Sequence, residues 1–518
     1  MGAILLKIKR FIYNGVLLTA VALIIRTVGV SFNVYITDKI GAESTGLYQL
    51  VMSVYAPALT LATAGVSLSS SRLVAEELGK RRGGKWFSVY LRCLLYAFLT
   101  SAPVGLILFS AAPYVASSWL GDKSGASLLQ ILSIGLPFIA LSSCTNGFFT
   151  ALRKASKSAF LMLIEQLFRI SITFALISEG NLSGIKCLTA VVFGSVCSDV
   201  LSFLISVFLS RSVVKKMKKQ TCKSQESITP RILSVTLPVS ISSFLRSSLI
   251  ALEHIMIPKG LKKCGMPYST AMAAYGTLTG MAMPIIMFPS SFLYSFSSLI
   301  IPELAEANEK KDFDGIRKNI KRILYAFLIF SIGASGIIFG FSFELSKAIY
   351  DSTSVGKYLL VLSPLIPFMY LDTAVDSMLK GLGEQIYTMK VNVIDAAASV
   401  ISVIILVPKM GIMGYVAVIL ISELINFSFS IYRLIKVTKV KFEVMKKLPP
   451  ILLSIAGSVL ITRLIAYILN TYYLKLVISV PLCIVIYLVF LVIFGSIKIK
   501  DRGILAKDPK YNRTRGCL

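Results

Sequence analysis

Ionisable side chains are scarce in the apolar stretches of this chain, and the few that occur there fall at helical spacings. Arg26 stands in the middle of one stretch with Asn33 seven residues on; Arg246 stands at the matching depth of another with Glu253 seven residues on. A separation of seven places both members of each pair on one helical face. A charge carried into a bilayer costs about 2.5–3.5 kcal/mol on insertion scales, so each of these residues is a candidate for a function. Arginine grips phosphate through two parallel hydrogen bonds, and two polar seams facing each other across a cavity would suit an anionic headgroup. The other reading pairs each arginine with a buried acid and makes it a device for holding helices together.

Three further groups invite chemistry. Glu165 and Arg169 stand four residues apart, as an internal ion pair would; packed pairing and exposure to a cavity are both open. Asp372, Asp376 and Lys380 share one face of another stretch. Two neighbouring carboxylates raise each other's proton affinity, which suits an ion-coupling site for sodium or protons, although pairing with a cavity arginine fits as well. His254, the single histidine, adjoins Glu253; it reads as a satisfied core histidine or as a proton relay. The eight cysteines include no CxxC pair and fall mostly in apolar runs, so they read as small core residues and not as a metal or disulfide framework. Gly79 to Lys85 fits GxxxxGK, but Trp86 follows where a magnesium-holding Ser or Thr belongs, and no strand precedes it. No nucleotide site, metal or cofactor is expected.

The elements that must carry these residues are membrane spans. Of 518 residues, 55% are hydrophobic and 15% charged, and the mean hydropathy is +0.78. Soluble domains carry about 25% charged residues, so a soluble enzyme is excluded; the apolar content equally excludes a disordered chain. Apolar segments fall near 11–37, 47–71, 87–110, 126–150, 157–178, 184–210, 232–257, 270–301, 320–341, 356–379, 385–407, 411–435, 448–469 and 472–496. The sequence therefore predicts an all-α polytopic membrane protein of about fourteen transmembrane helices. Lys7, Lys9 and Arg10 precede the first segment as in a signal peptide, but the apolar run continues to Thr37 without a small-residue cleavage site, so it reads as a span.

The net charge of +29 is distributed by loop. Basic clusters at Lys80–Lys85, Arg153–Lys157, Arg211–Lys223, Lys310–Arg322 and Lys436–Lys447 alternate with sparse or mixed loops. By the positive-inside rule both termini are cytoplasmic. The charge is thus a topology signal and not the mark of a nucleic-acid partner; the tail from Lys498 to Arg515 is expected beside anionic lipid headgroups.

The chain also repeats. Ile25-Arg26 returns as Leu245-Arg246, each followed thirteen residues later by a lysine, Lys39 and Lys259. Tyr48 and Pro57 match Tyr275 and Pro284, Glu76 matches Glu303, and Leu152 with Ile164-Glu165 matches Leu382 with Ile394-Asp395. Six spans separate equivalent points, an even number, so both halves enter the membrane in the same direction. The expected architecture is two parallel six-helix lobes around a central cavity plus two extra C-terminal helices. The boundaries are 1–230 with a basic linker at 211–230, 231–440, and 441–518 with a basic cytoplasmic tail.

Several stretches carry a family resemblance: Arg26-Thr27-Val28-Gly29, Gly46-Leu47-Tyr48, Ser71-Arg72-Leu73-Val74-Ala75-Glu76, Ile164-Glu165-Gln166-Leu167-Phe168-Arg169, Tyr275-Gly276-Thr277-Leu278-Thr279-Gly280-Met281 and Leu379-Lys380-Gly381-Leu382-Gly383. Together they resemble the polysaccharide-transport branch of the multidrug/oligosaccharidyl-lipid/polysaccharide flippase superfamily, and within it the stage V sporulation protein B group of spore-forming bacteria. The resemblance implies alternating access for a lipid-linked saccharide, and it carries a cavity-lining arginine of the related lipid II flippases onto Arg26. Those relatives have an Asp-Arg step in the seventh helix where this chain has Glu253-His254.

The expected function is a flippase, not an enzyme, that moves a lipid-linked oligosaccharide or peptidoglycan precursor for spore cortex synthesis, with cell-wall synthesis enzymes as further partners. Outward movement of two negative charges releases about 4.6 kcal/mol per 100 mV, so no ATPase is required. A cation-coupled multidrug exporter of the same fold is the near alternative, favoured by an acid-dominated cavity. A non-transporting scaffold for cortex enzymes predicts that cavity substitutions are harmless, and a membrane glycosyltransferase needs a large outer loop that this chain lacks.

Overall fold

A computed structural model describes residues 2–63, 65–79, 86–152, 154–180, 182, 184–216, 228–440, 444–468 and 472–496. The regular structure among them is helical throughout, with no strand. In chain order the helices are α1 (Gly2–Thr63), α2 (Val66–Gly79), α3 (Trp86–Val115), α4 (Gly125–Ala151), α5 (Ala155–Gly180), α6 (Gly184–Lys216), α7 (Ile228–Lys263), α8 (Tyr268–Gly276), α9 (Met283–Met287) and α10 (Ser290–Glu309). They continue as α11 (Phe313–Gly340), α12 (Ser342–Tyr350), α13 (Thr353–Leu362), α14 (Ile366–Gly381), α15 (Gln385–Met410), α16 (Ile412–Thr438), α17 (Val444–Ile468) and α18 (Tyr472–Ile493). The GxxxxGK stretch from residue 80 on, the basic loop at 217–227 and the tail beyond residue 496 lie outside the described residues.

Eleven of the described helical stretches are long and apolar enough to cross a membrane. Fourteen were expected for the whole chain; the count of eleven covers the described residues and takes Leu23–Leu78 as one stretch. Gly41, whose φ of 77° and ψ of 169° break the helical path inside α1, separates the first two expected segments. The seventh segment, α7, carries Arg246, Glu253 and His254 in its middle, and within α18 the apolar helix runs over Ile478–Ile493. Long apolar faces point outward, as on α3, where Leu95, Leu99, Leu106 and Ile107 are all exposed, the arrangement that lipid requires.

The chain forms two compact units, Met1–Glu306 with Asp376–Ser430, and Ala307–Val375 with Ile431–Leu518. The first contains an aromatic stack: the Tyr90 and Phe148 rings lie 4.2 Å apart, Trp86 stacks on Phe148 at 6.1 Å, and Cys93, Cys144, Leu161 and Ile232 belong to the same core cluster. Cys93, Cys144, Cys187 and Cys483 are buried thiols, Cys197 is half-buried and Cys264 exposed; all are free, while Cys222 and Cys517 lie outside the described residues. Within this unit α1 and α8 cross at nearly bare backbone. A Cβ on Gly46 would collide with the Met272 carbonyl, and one on Gly276 with the Ala42 carbonyl and the Gly46 backbone. In lipid, helices associate through such close van der Waals contact, because hydrocarbon outside is as apolar as the core. Asn33 fastens the same junction: its Nδ2 donates to the Gly280 carbonyl at 3.2 Å, in the π-helical stretch Thr277–Ala282 that follows α8.

In the second unit α11 starts at an Asp312 cap, whose carboxylate accepts from the Gly315 amide at 2.9 Å. Its far end is closed by Arg463 of α17, whose Nε donates to the Gly340 carbonyl at 2.9 Å. Gly336 and Gly340 admit Ile455 and Val459 of α17 against the α11 backbone. From α18, the Tyr487 hydroxyl donates to the Ile329 carbonyl at 2.8 Å.

Candidate functional site

Two polar clusters lie inside the first unit, and each contains two carboxylates for one guanidinium. The first is built by α5 and α6. Arg169 Nη2 lies 3.3 Å from Glu165 Oε1 and 3.6 Å from Asp199 Oδ1, and Ser202 donates to the other Glu165 oxygen at 3.2 Å. Asp199 is buried, whereas Glu165 and Arg169 are each 34% exposed, so the pair is neither sealed nor free. Tyr48 and Tyr55 of α1 stand within electrostatic reach of Arg169. The Tyr55 hydroxyl, Thr173 Oγ1 and Arg169 Nε are buried without a hydrogen-bond partner among the described residues.

The second cluster is built by α7, α15 and α16. Asp395 accepts from Ser422 at 2.6 Å, and Ser399 donates in turn to Ser422 at 3.1 Å. The Arg246 guanidinium and the Glu253 carboxyl both lie within electrostatic reach of Asp395. Beside them His254 Nδ1 is 2.7 Å from the Tyr275 hydroxyl, with the rings edge to face. The single histidine is therefore satisfied inside the fold, by a tyrosine of α8.

The sequence candidates are distributed as follows. Arg26 is exposed on α1 and makes no hydrogen bond or ion pair among the described residues. Asn33 lies on the same helix but spends its amide on the Gly280 carbonyl. Arg246 is exposed, Glu253 is half-buried, and both lie within electrostatic reach of Asp395. Glu165 and Arg169 form the expected pair, to which the structure adds Asp199. Asp372 is buried. Asp376 Oδ2 is 3.5 Å from Lys380 Nζ, the pairing the spacing allowed.

The structure also brings in residues that spacing alone passed over. Asp199 is the one acid of its apolar segment, a signal that cost alone makes informative. Asp395 entered the sequence reading only as the repeat partner of Glu165; in the structure each of these acids accepts a hydrogen bond from a serine of the following span, Ser202 and Ser422. Chemically, the clusters offer guanidinium groups for anion binding, and carboxylates that hold those groups or bind a cation.

Comparison with known proteins gives a consistent placement. The family profile described as polysaccharide biosynthesis protein matches residues 11–307, and the MatE profile matches 264–406. Stage V sporulation protein B of Bacillus subtilis is 26% identical over 413 residues, 78% of this chain and 80% of that protein. Sporulation protein YkvU of the same organism is 21% identical over 377 residues, 72% of this chain and 83% of that protein. Among solved structures, the lipid II flippase MurJ in an inward closed conformation superposes with a TM-score of 0.69 at 15% identity, covering 93% of this chain and 99% of the other. An inward-facing multidrug resistance MATE family transporter gives 0.63 at 15% identity, covering 82% and 99%.

Proposed function

Because the chain belongs to the polysaccharide biosynthesis protein family, within the flippase superfamily, we propose that it moves a lipid-linked oligosaccharide or peptidoglycan precursor across the cytoplasmic membrane by alternating access, in support of spore cortex synthesis. The observation that carries this reading is Arg26: an exposed guanidinium inside an apolar segment, with no acid holding it among the described residues. A cation left so in a membrane protein is costly unless water or an anion meets it. A diphosphate headgroup supplies that anion, and its two charges couple export to the membrane potential, about 2.3 kcal/mol per charge per 100 mV. Similarity to sporulation proteins of Bacillus subtilis supports the cortex assignment.

Sodium or protons are the proposed coupling ions if the potential alone does not drive transport, and a cytoplasmic location is proposed for both termini. The two-acids-per-arginine clusters favour a second reading, a cation-coupled exporter of cationic drugs. The test is complementation of a null strain by Arg26→Ala at matched membrane abundance. Anionic cargo predicts failed cortex; normal cortex rejects it. The drug reading predicts instead that Arg26→Ala leaves export of cationic dyes intact while Asp395→Asn abolishes it.

A further inference from the structure

Most polar side chains around Arg26 are already committed to the fold. On α1 the Thr27 hydroxyl donates to the Leu23 carbonyl at 3.0 Å, the Ser31 hydroxyl to the Thr27 carbonyl at 3.1 Å, and Asn33 to the Gly280 carbonyl. On α5 Glu165 and Arg169 are paired with each other. Gln166, between those two in sequence, makes no hydrogen bond or ion pair among the described residues. It is half-buried in an apolar span, where an amide without a partner is unfavourable. Arg26 and Gln166 are thus the uncommitted polar groups of this stretch.

Gly29 shows where the Gln166 amide lies. A Cβ built on Gly29 would meet a single atom within 4 Å, Gln166 Nε2 at 3.7 Å. Gly46 and Gly276, by contrast, are pressed against backbone. Gly29 is therefore not a place where helices cross; it leaves the surface of α1 bare beside the amide. It stands three residues after Arg26 and four before Asn33, so the three positions are neighbours on the helix surface. The helical rise places Gly29 about 4.5 Å along the axis from Arg26.

We propose that the bare step at Gly29, edged by the Gln166 amide and adjoining Arg26, is a subsite for the sugar bonded directly to the diphosphate of the cargo. This deepens the transport reading and rests on it: Arg26 takes the phosphate charge, and Gln166 meets a hydroxyl or acetamido group of the sugar. The chemistry fits a neutral polar ligand group. An amide both donates and accepts, as sugar hydroxyls and acetamides do, and it carries no charge to draw a bare phosphate. Gln166 is accordingly a specificity residue, because a site that offers a hydrogen bond discriminates against ligands unable to complete it.

Calorimetric titration of the purified full-length protein with farnesyl diphosphate and with farnesyl-diphosphate-linked N-acetylglucosamine tests this. The readout is the ratio of the two Kd values. The unsubstituted protein should prefer the sugar-bearing ligand about fivefold or more, the effect of one neutral hydrogen bond. Gln166→Leu, close in size but without polar atoms, should erase the preference, and Gly29→Leu should erase it by filling the step from α1. Arg26→Ala should weaken both ligands alike. A preference that survives in Gln166→Leu overturns the inference. Should Gln166→Leu lower the Tm, Gly29→Leu decides alone, since no neighbouring backbone crowds that position; a preference kept there overturns the inference equally. Binding of both ligands by the unsubstituted protein without preference rejects the subsite and leaves the anionic-cargo reading standing. Binding of neither rejects that reading, and the subsite with it.

Discussion

Single side chains in this protein separate into those that hold the fold and those that the proposed function assigns to cargo. Arg169 belongs to the first kind, since it balances Glu165 and the buried Asp199. Arg169→Ala would leave Asp199 buried without its cation. Breaking a fully buried pair costs 3–5 kcal/mol; with Arg169 a third exposed, the expected loss is about 2 kcal/mol, read as a lowered Tm and lower membrane abundance. Adding Asp199→Asn should restore most of it. Arg26 belongs to the second kind. Arg26→Ala should leave Tm unchanged because no partner is lost, and Arg26→Lys should restore activity only partly, since an ammonium lacks the planar fork. A fall in Tm for Arg26→Ala equal to that of Arg169→Ala would contradict the distinction. The sequence made Arg26, Arg246 and the Glu165–Arg169 pair visible, because charges inside apolar runs stand out. It did not reveal Asp199 or the role of Asp395, because what they touch is decided by which spans lie side by side, and no periodicity within one segment reports that.

At the scale of helices, the α1–α8 crossing is the most exposed to a small change. Gly46→Ala and Gly276→Ala each push a methyl into backbone of the opposite helix, and overpacking of this kind costs about 1–3 kcal/mol. Gly29→Ala is the contrast: its added carbon meets only Gln166 Nε2 at 3.7 Å, an ordinary contact, and should be tolerated. Thermal unfolding of the three variants in one detergent checks the ranking. Tyr48 and Tyr275 were legible as repeat partners, and the elements that carry them do meet. The closeness of that meeting was not legible, since a glycine in an apolar run is common and only the opposing carbonyl makes it indispensable. The kink at Gly41 was not legible either, because a single glycine at the edge of an apolar run does not show whether the helix breaks there.

For the whole molecule, the alternation of basic loops is the strongest long-range pattern in the sequence, and it sets the proposed orientation. A cysteine placed beside Lys218, in the basic loop outside the described residues, should resist an impermeant maleimide applied to intact cells; strong labelling would reverse the topology. The ion-coupling candidates are tested at the same scale. Asp376 is tied to Lys380 at 3.5 Å, and if it couples transport to an ion, Asp376→Asn should alter the dependence of transport on pH or sodium. Unchanged titrations would remove it from that role.

The central claim is that the chain carries an anionic lipid-linked precursor outward, with Arg26 in contact with its headgroup. The most direct measurement is the leaflet distribution of lipid-linked wall precursor in membranes from sporulating cells, assayed by accessibility to an impermeant enzyme that modifies the headgroup. Cells lacking the protein, and cells carrying Arg26→Ala at normal abundance, should both retain the precursor on the cytoplasmic leaflet. An outward-facing pool equal to that of unaltered cells in both strains would contradict the account.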